Sequence, residues 1–235
     1  MAIKMAKQSN SSHLVSSEEL EPVTPMTPNQ EKAFNAWADD KNLVLAGSAG
    51  TGKTFMAMNF ALQALLTDDR YRKVMILRSM VSTRDPGHLP GTKEEKEEPY
   101  KLPYKQLCEQ IFGYEGAWGK LTTTGKIHFE TTSYIRGTTF DQTIIIVDEM
   151  QNLNFHELDS VITRVGNDCK IILCGDYKQS DFRFDDEKAG LMQFLSILEL
   201  MSDFRVIEFE WADIVRSGFV RDYIMTKELV QSKRF

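Results

Sequence analysis

Apolar residues in this chain gather in five short runs: Leu43–Ala46, Val74–Leu77, Thr143–Val147, Lys170–Cys174 and Val206–Phe209. The middle runs do not alternate apolar with polar positions. Strands of that kind are covered on both faces, as in a parallel sheet flanked by helices. Helical spacing fills the gaps. Residues 54–66 are apolar almost all round and predict a deeply packed helix. Residues 155–165 set Leu158, Val161, Ile162 and Val165 on one stripe; Asn154 and Glu157 form a capping-box pattern, and Gly166 suits the stop. Residues 189–201 carry a stripe through Leu191, Phe194, Leu195 and Leu198, and Phe34, Trp37 and Ala38 show helical spacing after Thr27-Pro28. Strands alternating with helices predict one α/β domain, in three layers with a mainly parallel central sheet.

Two regions break the rhythm. Residues 1–28 are rich in Ser, Lys, Glu and Pro and poor in large apolar groups, so a disordered N-terminal tail is expected there, followed by the folded domain over 29–235. Residues 84–142 hold four of the prolines, Gly-rich turns and the charged run Lys93–Glu98, which reads as a solvated face.

Composition changes the picture little. The 235 residues carry a formal charge of −6, so no long-range positive field draws the chain to nucleic acid or membrane, though a local basic groove is compatible with it. Cys108, Cys169 and Cys174 lack metal-type spacing and read as reduced thiols; the last two, five apart, should face opposite sides of one strand. No apolar run is long enough to span a membrane, and the start lacks an apolar signal core, so a cytoplasmic protein is expected.

The chemistry lies at the ends of the runs. Gly47-Ser48-Ala49-Gly50-Thr51-Gly52-Lys53-Thr54 follows the first run and fits G-x-x-x-x-G-K-[ST] at every position. The glycines let backbone N–H groups turn inward on phosphates, at the positive end of the following helix. Lys53 would reach the β- and γ-phosphates of ATP, and the Thr54 hydroxyl would bind Mg²⁺. Asp148 ends the third run, where it can hold the metal, and Glu149 next to it can act as general base on water. An Asp-Glu pair also suits an ordinary helix N-cap; the P-loop favours the catalytic reading. The fourth run ends in polar residues Asp176, Gln179 and Asp181, with Gln179 suited to sense the γ-phosphate, or simply in a polar loop. Gln30 can pair with adenine and select ATP, or merely start a helix. A single nucleotide-binding domain leaves the γ-phosphate without an arginine finger. Arg216 and Arg136 are the candidates, acting across a subunit seam or in cis; each also suits a surface ion pair.

These pieces, in this order, resemble the motor core of superfamily 1 helicases. More closely, they resemble the PhoH-like family of P-loop ATPases, over about Thr27 to Tyr223, through TPNQ, GSAGTGKT, the Pro-Gly/Leu-Pro-Gly stretch, SYIRGTTF, IIIVDEMQN, GDYKQSDF and WADIVRSGFVRDYI. The resemblance implies a RecA-like fold, ATP hydrolysis, and action on RNA or single-stranded DNA. It also implies a homo-oligomer, as a hexameric ring with arginine supplied across subunits. Ser79, Ser82, Thr83 and Arg84 would then touch the phosphate backbone, and Lys93, Lys101, Lys105 and Lys126 would line a pore. The alternative is an ATPase switch that remodels or regulates a protein partner without nucleic acid.

Overall fold

The computed structural model describes residues 15–79, 92–132, 135, 137, 139–176 and 185–232. Helix α1 (Pro28–Ala38) starts where the Thr27 side chain accepts the Gln30 N–H, with Pro28 in the first turn. It leads into β1 (Asn42–Gly47), α2 (Lys53–Thr67) and β2 (Lys73–Arg78). Next come α3 (Lys93–Phe112), α4 (Ala117–Thr123), β3 (Ile127–Thr131) and β4 (Thr143–Asp148). The chain ends with α5 (Phe155–Ile162), β5 (Lys170–Gly175), α6 (Asp185–Leu200), β6 (Phe204–Phe209) and α7 (Gly218–Ser232).

The six strands form one sheet in the order β3-β2-β4-β5-β1-β6, and every pairing is parallel. All C-terminal strand ends therefore lie along one edge, where open α/β sheets bind ligands. Strand β5 sits between β1 and β4, so the C-terminal ends of these three strands are neighbours.

Alternate strand residues feed two cores. Leu43 and Leu45 join one beneath α1 to α4, while Val44 and Ala46 join the other beneath α5 and α6. Cys174 lies in the first core and Cys169 packs against the second, so the two do face opposite sides. In the first core, Phe60 of α2 stacks on Trp37 and meets Phe34 edge-on, both from α1.

All five apolar runs are strands. The capping box of Asn154 and Glu157 is formed, although α5 ends at Ile162, short of Gly166. The 84–142 region, which broke the rhythm of the sequence, supplies α3, α4 and the edge strand β3. Helix α3 holds Pro99 and Pro103 in its interior. A proline there costs about 3 kcal/mol or more. Burial of Tyr104, Cys108, Ile111 and Phe112 on the core side outweighs that cost. The charged run forms the first turns of α3, with Glu95, Lys96 and Glu98 in solvent but Glu97 buried and paired to Lys101 at 2.8 Å.

Part of the expected N-terminal tail lies on the domain. The Glu21 N–H donates to Ile111 O at 2.8 Å, Tyr114 Oη donates to Glu19 at 2.8 Å, and Val15 is buried. Two apolar anchors, Val15 and Leu20, were diluted in the average composition of that segment. Among the described residues, no helix is long and apolar enough to cross a membrane.

Candidate nucleotide site

The loop between β1 and α2 is built by backbone that side chains rarely adopt. Gly47, Gly50 and Gly52 have φ of +123°, +76° and +85°. A Cβ on Gly47 would stand 2.0 Å from Phe209 O at the end of β6, so only glycine lets β1 turn there. Gly52 is the N-cap of α2 and uses no side chain, which leaves the helix N-terminus facing the loop. Lys53 Nζ donates to Gly47 O and Ser48 O, each at 2.7 Å. Burial is the largest influence on this ammonium and lowers its pKa; Asp176, Glu149 and Asp148 nearby pull the other way.

The carboxylates stand opposite. Asp148, buried at the end of β4, accepts from Thr54 Oγ1 at 3.1 Å on Oδ1 and from Tyr104 Oη at 2.7 Å on Oδ2. Burial raises its pKa, while those two hydrogen bonds and Arg78 oppose the rise. Glu149 leaves the strand in a left-handed turn, φ +54°, which directs its carboxylate to the cleft. Its Oε2 accepts from Gln151 Nε2, and its Oε1 lies 3.9 Å from Arg78 Nη2. Gln151 Oε1 in turn accepts the Asp176 N–H at 3.0 Å and so joins the ends of β4 and β5. Backbone strain of this kind gathers at functional sites.

The segment after β6 closes the loop from the other side. Val215 N–H donates to Gly50 O at 3.1 Å. The exposed Arg216 lines the same cleft as Lys53 and Asp148, its Cγ 2.9 Å from where a Cβ on Gly50 would stand. Asp213 is buried and accepts from Asn29 Nδ2 at 2.7 Å and from the Glu210 N–H at 2.9 Å. Glu228 of α7 accepts from Ser48 Oγ and from Trp211 Nε1. Gln30 is buried as well: its Nε2 donates to Thr51 O at 3.0 Å and its Oε1 accepts from Met26 N–H at 2.8 Å. Both ends of its amide are engaged with the chain, one of them with the P-loop that the sequence reading placed it beside.

The cleft encloses about 330 Å³, and the donors fit a magnesium–nucleotide complex. Turned-in glycines, a lysine, a threonine hydroxyl and a buried carboxylate converge on it from β1, α2 and β4. Gly47 to Thr54, Asp148, Glu149 and Arg216 lie together around the cleft, Arg216 among the residues that line it. Arg136, Gln179, Asp181, Ser82, Thr83, Arg84 and the Lys93 side chain lie outside the described residues. Ser79 is buried at the end of β2, and Lys105 is exposed on α3. The sequence reading missed Tyr104, Gln151 and Asp213. No motif marks Tyr104, and only the tyrosine content of a helix interrupted by prolines could have drawn attention to it.

Comparison with known proteins agrees with this geometry. The family model described as PhoH-like protein matches residues 22–227. A PhoH-like protein of Mycobacterium leprae is 32% identical over 203 residues, covering 86% of this chain and 57% of the relative. One of Bacillus subtilis is 30% identical over 232 residues, covering 95% and 72%. The chain thus spans little more than half the length of the mycobacterial relative. Among solved structures, the large terminase of a thermophilic bacteriophage, determined in complex with ADP, superimposes with a TM-score of 0.51. It is 14% identical, covering 85% of this chain and 49% of the terminase. The fold is the expected RecA-like P-loop NTPase fold, a single parallel sheet with helices on both faces.

Proposed function

Because the chain belongs to the PhoH-like protein family, we propose that it is an ATPase that hydrolyses Mg²⁺-bound ATP and uses the turnover to bind, move along or unwind RNA or single-stranded DNA. One observation carries the ATPase reading. Thr54 Oγ1 stands 3.1 Å from buried Asp148, with Lys53 and Glu149 lining the same cleft. Magnesium, when bound, neutralises phosphate charge and aligns the transferred group. Thr54 and Asp148 are the residues to hold it. The P-loop N–H groups and Lys53 hold the phosphates. Glu149, steadied by Gln151 and facing solvent, takes the proton of the attacking water. Arg216, which lines the cleft, is the candidate to steady charge on the γ-phosphate from within the chain, and Gln179 remains the sequence's candidate to sense that phosphate.

The nucleic-acid step rests on the family and its resemblance to helicase motors. So does assembly as a homo-oligomer, a hexameric ring, in which Arg136 is the candidate to reach across subunits. A second reading, an ATPase switch acting on a protein partner, is favoured by the charge of −6 and by Phe219 and Tyr223 standing exposed on α7.

ATP hydrolysis measured with and without single-stranded RNA and DNA tests both. Lys53→Ala should abolish turnover, and Glu149→Gln should lower it by about 10²-fold or more while nucleotide still binds. Several-fold stimulation by one polymer, weakening with salt, supports the motor reading. Turnover that needs both residues yet ignores every polymer transfers the reading to the protein-directed switch. Turnover that survives Lys53→Ala would overturn the ATPase site altogether.

A further inference from the structure

The metal side of the cleft includes a residue that belongs to none of the nucleotide motifs. Tyr104 lies in α3, fully buried, with its ring 5.8 Å from that of Phe129. Its hydroxyl donates to Asp148 Oδ2 at 2.7 Å, while Thr54 Oγ1 engages the other oxygen. Arg78, at the end of β2, donates to the same hydroxyl at 3.5 Å and lies 3.9 Å from Glu149 Oε1. A single chain of contacts therefore runs from the water-side carboxylate through Arg78 and Tyr104 to the metal-side carboxylate.

The physical need is plain. A buried carboxylate can swing about its last torsion, and an oxygen left without a donor in such a site is costly. With Oδ2 tied to α3, Oδ1 is held toward Thr54, the hydroxyl with which it would share a metal. Partners of this outer kind orient metal ligands, and losing one typically costs 10–100-fold in metal affinity. A tyrosine that only filled the core would need a partner for its hydroxyl, but that partner need not be the carboxylate that pairs with Thr54.

We propose that Tyr104 is a positioning residue that fixes Asp148 for magnesium, with Arg78 linking it to Glu149, so that α3 is part of the nucleotide site. The proposal rests on the ATPase reading above.

The test is Tyr104→Phe, which removes one oxygen and keeps the ring. Binding of a fluorescent ADP analogue is titrated with Mg²⁺ and also measured in EDTA, beside the Mg²⁺ dependence of ATP hydrolysis. The half-saturating Mg²⁺ concentration should rise about tenfold or more in both assays. Binding in EDTA, held by the P-loop, should stay unchanged, and most of the rate should return at high Mg²⁺. An unchanged Mg²⁺ requirement overturns the proposal, as does an equal loss of binding with and without metal. If Tyr104→Phe lacks a cooperative thermal transition, Arg78→Lys gives the same comparison with the tyrosine in place; a smaller rise supports the linkage and none overturns it. A wild-type chain whose nucleotide binding and hydrolysis ignore Mg²⁺ would sink the ATPase reading and this proposal together. A normal wild type with an unaltered Phe variant sinks this proposal alone.

Discussion

Single atoms decide whether the phosphate loop can exist. The hydrogen on the Gly47 Cα is all that fits against Phe209 O, because a Cβ would approach to 2.0 Å. Gly47→Ala would have to push β6 from β1 and hold alanine at φ +123°. Overpacking and backbone strain each cost about 1–3 kcal/mol, so a loss of about 3–5 kcal/mol is expected in urea unfolding. Gly52→Ala makes the contrast. Its nearest neighbour would be Gln30 Nε2 at an ordinary 3.5 Å, so only the left-handed backbone is penalised, by about 1–2 kcal/mol. Equal losses for the two would refute this account of the crowding at Gly47. Glu149 shows the opposite use of the same region of backbone space, in which an L-residue accepts φ +54° and its carboxylate reaches the cleft.

Between elements, the contacts that matter join segments far apart in sequence. Asp213 fastens the turn after β6 to the start of α1 through Asn29 Nδ2. Burial alone would raise its carboxyl pKa, but hydrogen bonds from Thr27, the Glu210 N–H and Asn29 bring it below the ordinary 3.8. A carboxyl depressed on folding adds stability that is fully present above 3.8 and disappears as pH falls through its lowered folded value. Asp213→Asn should therefore be less stable than wild type near neutrality, by about 1–3 kcal/mol. The gap should close as both are taken to about pH 3 or below, read from thermal unfolding across pH. A gap independent of pH would refute the role of the charge. Because Val215 and Arg216 lie only two and three residues beyond Asp213, the same variant should also weaken nucleotide binding.

For the whole molecule, the parallel sheet sets the chemistry by bringing the ends of β1, β4 and β5 to one edge. The turn after β6 then folds back over the loop, which sets Arg216 against the cleft that its own chain builds. This geometry makes a direct prediction for an oligomer. Inactive Lys53→Ala and Arg216→Ala chains, mixed under conditions that exchange subunits, should not regain ATPase activity, because each cleft needs its lysine and arginine from one chain. Recovery on mixing would show that Arg216 acts across a seam.

What the sequence determined by itself is local and covalent. The Gly-Lys-Thr spacing, the Asp-Glu at a buried strand end and the covered-on-both-faces runs read out because neighbours along the chain do the work. The five runs, α2 and the capping box of α5 were legible for that reason. Prolines hid α3, and β3 gave no apolar run because His128 and Glu130 alternate with its buried residues. Tertiary structure alone decided that Gln30 Nε2 meets Thr51 O, that Arg216 lines the cleft beside Lys53, and that Tyr104 reaches Asp148 across 44 positions. Those are contacts between segments distant in the chain. Their partners are chosen by how helices and strands pack, and no spacing rule along the sequence records that choice.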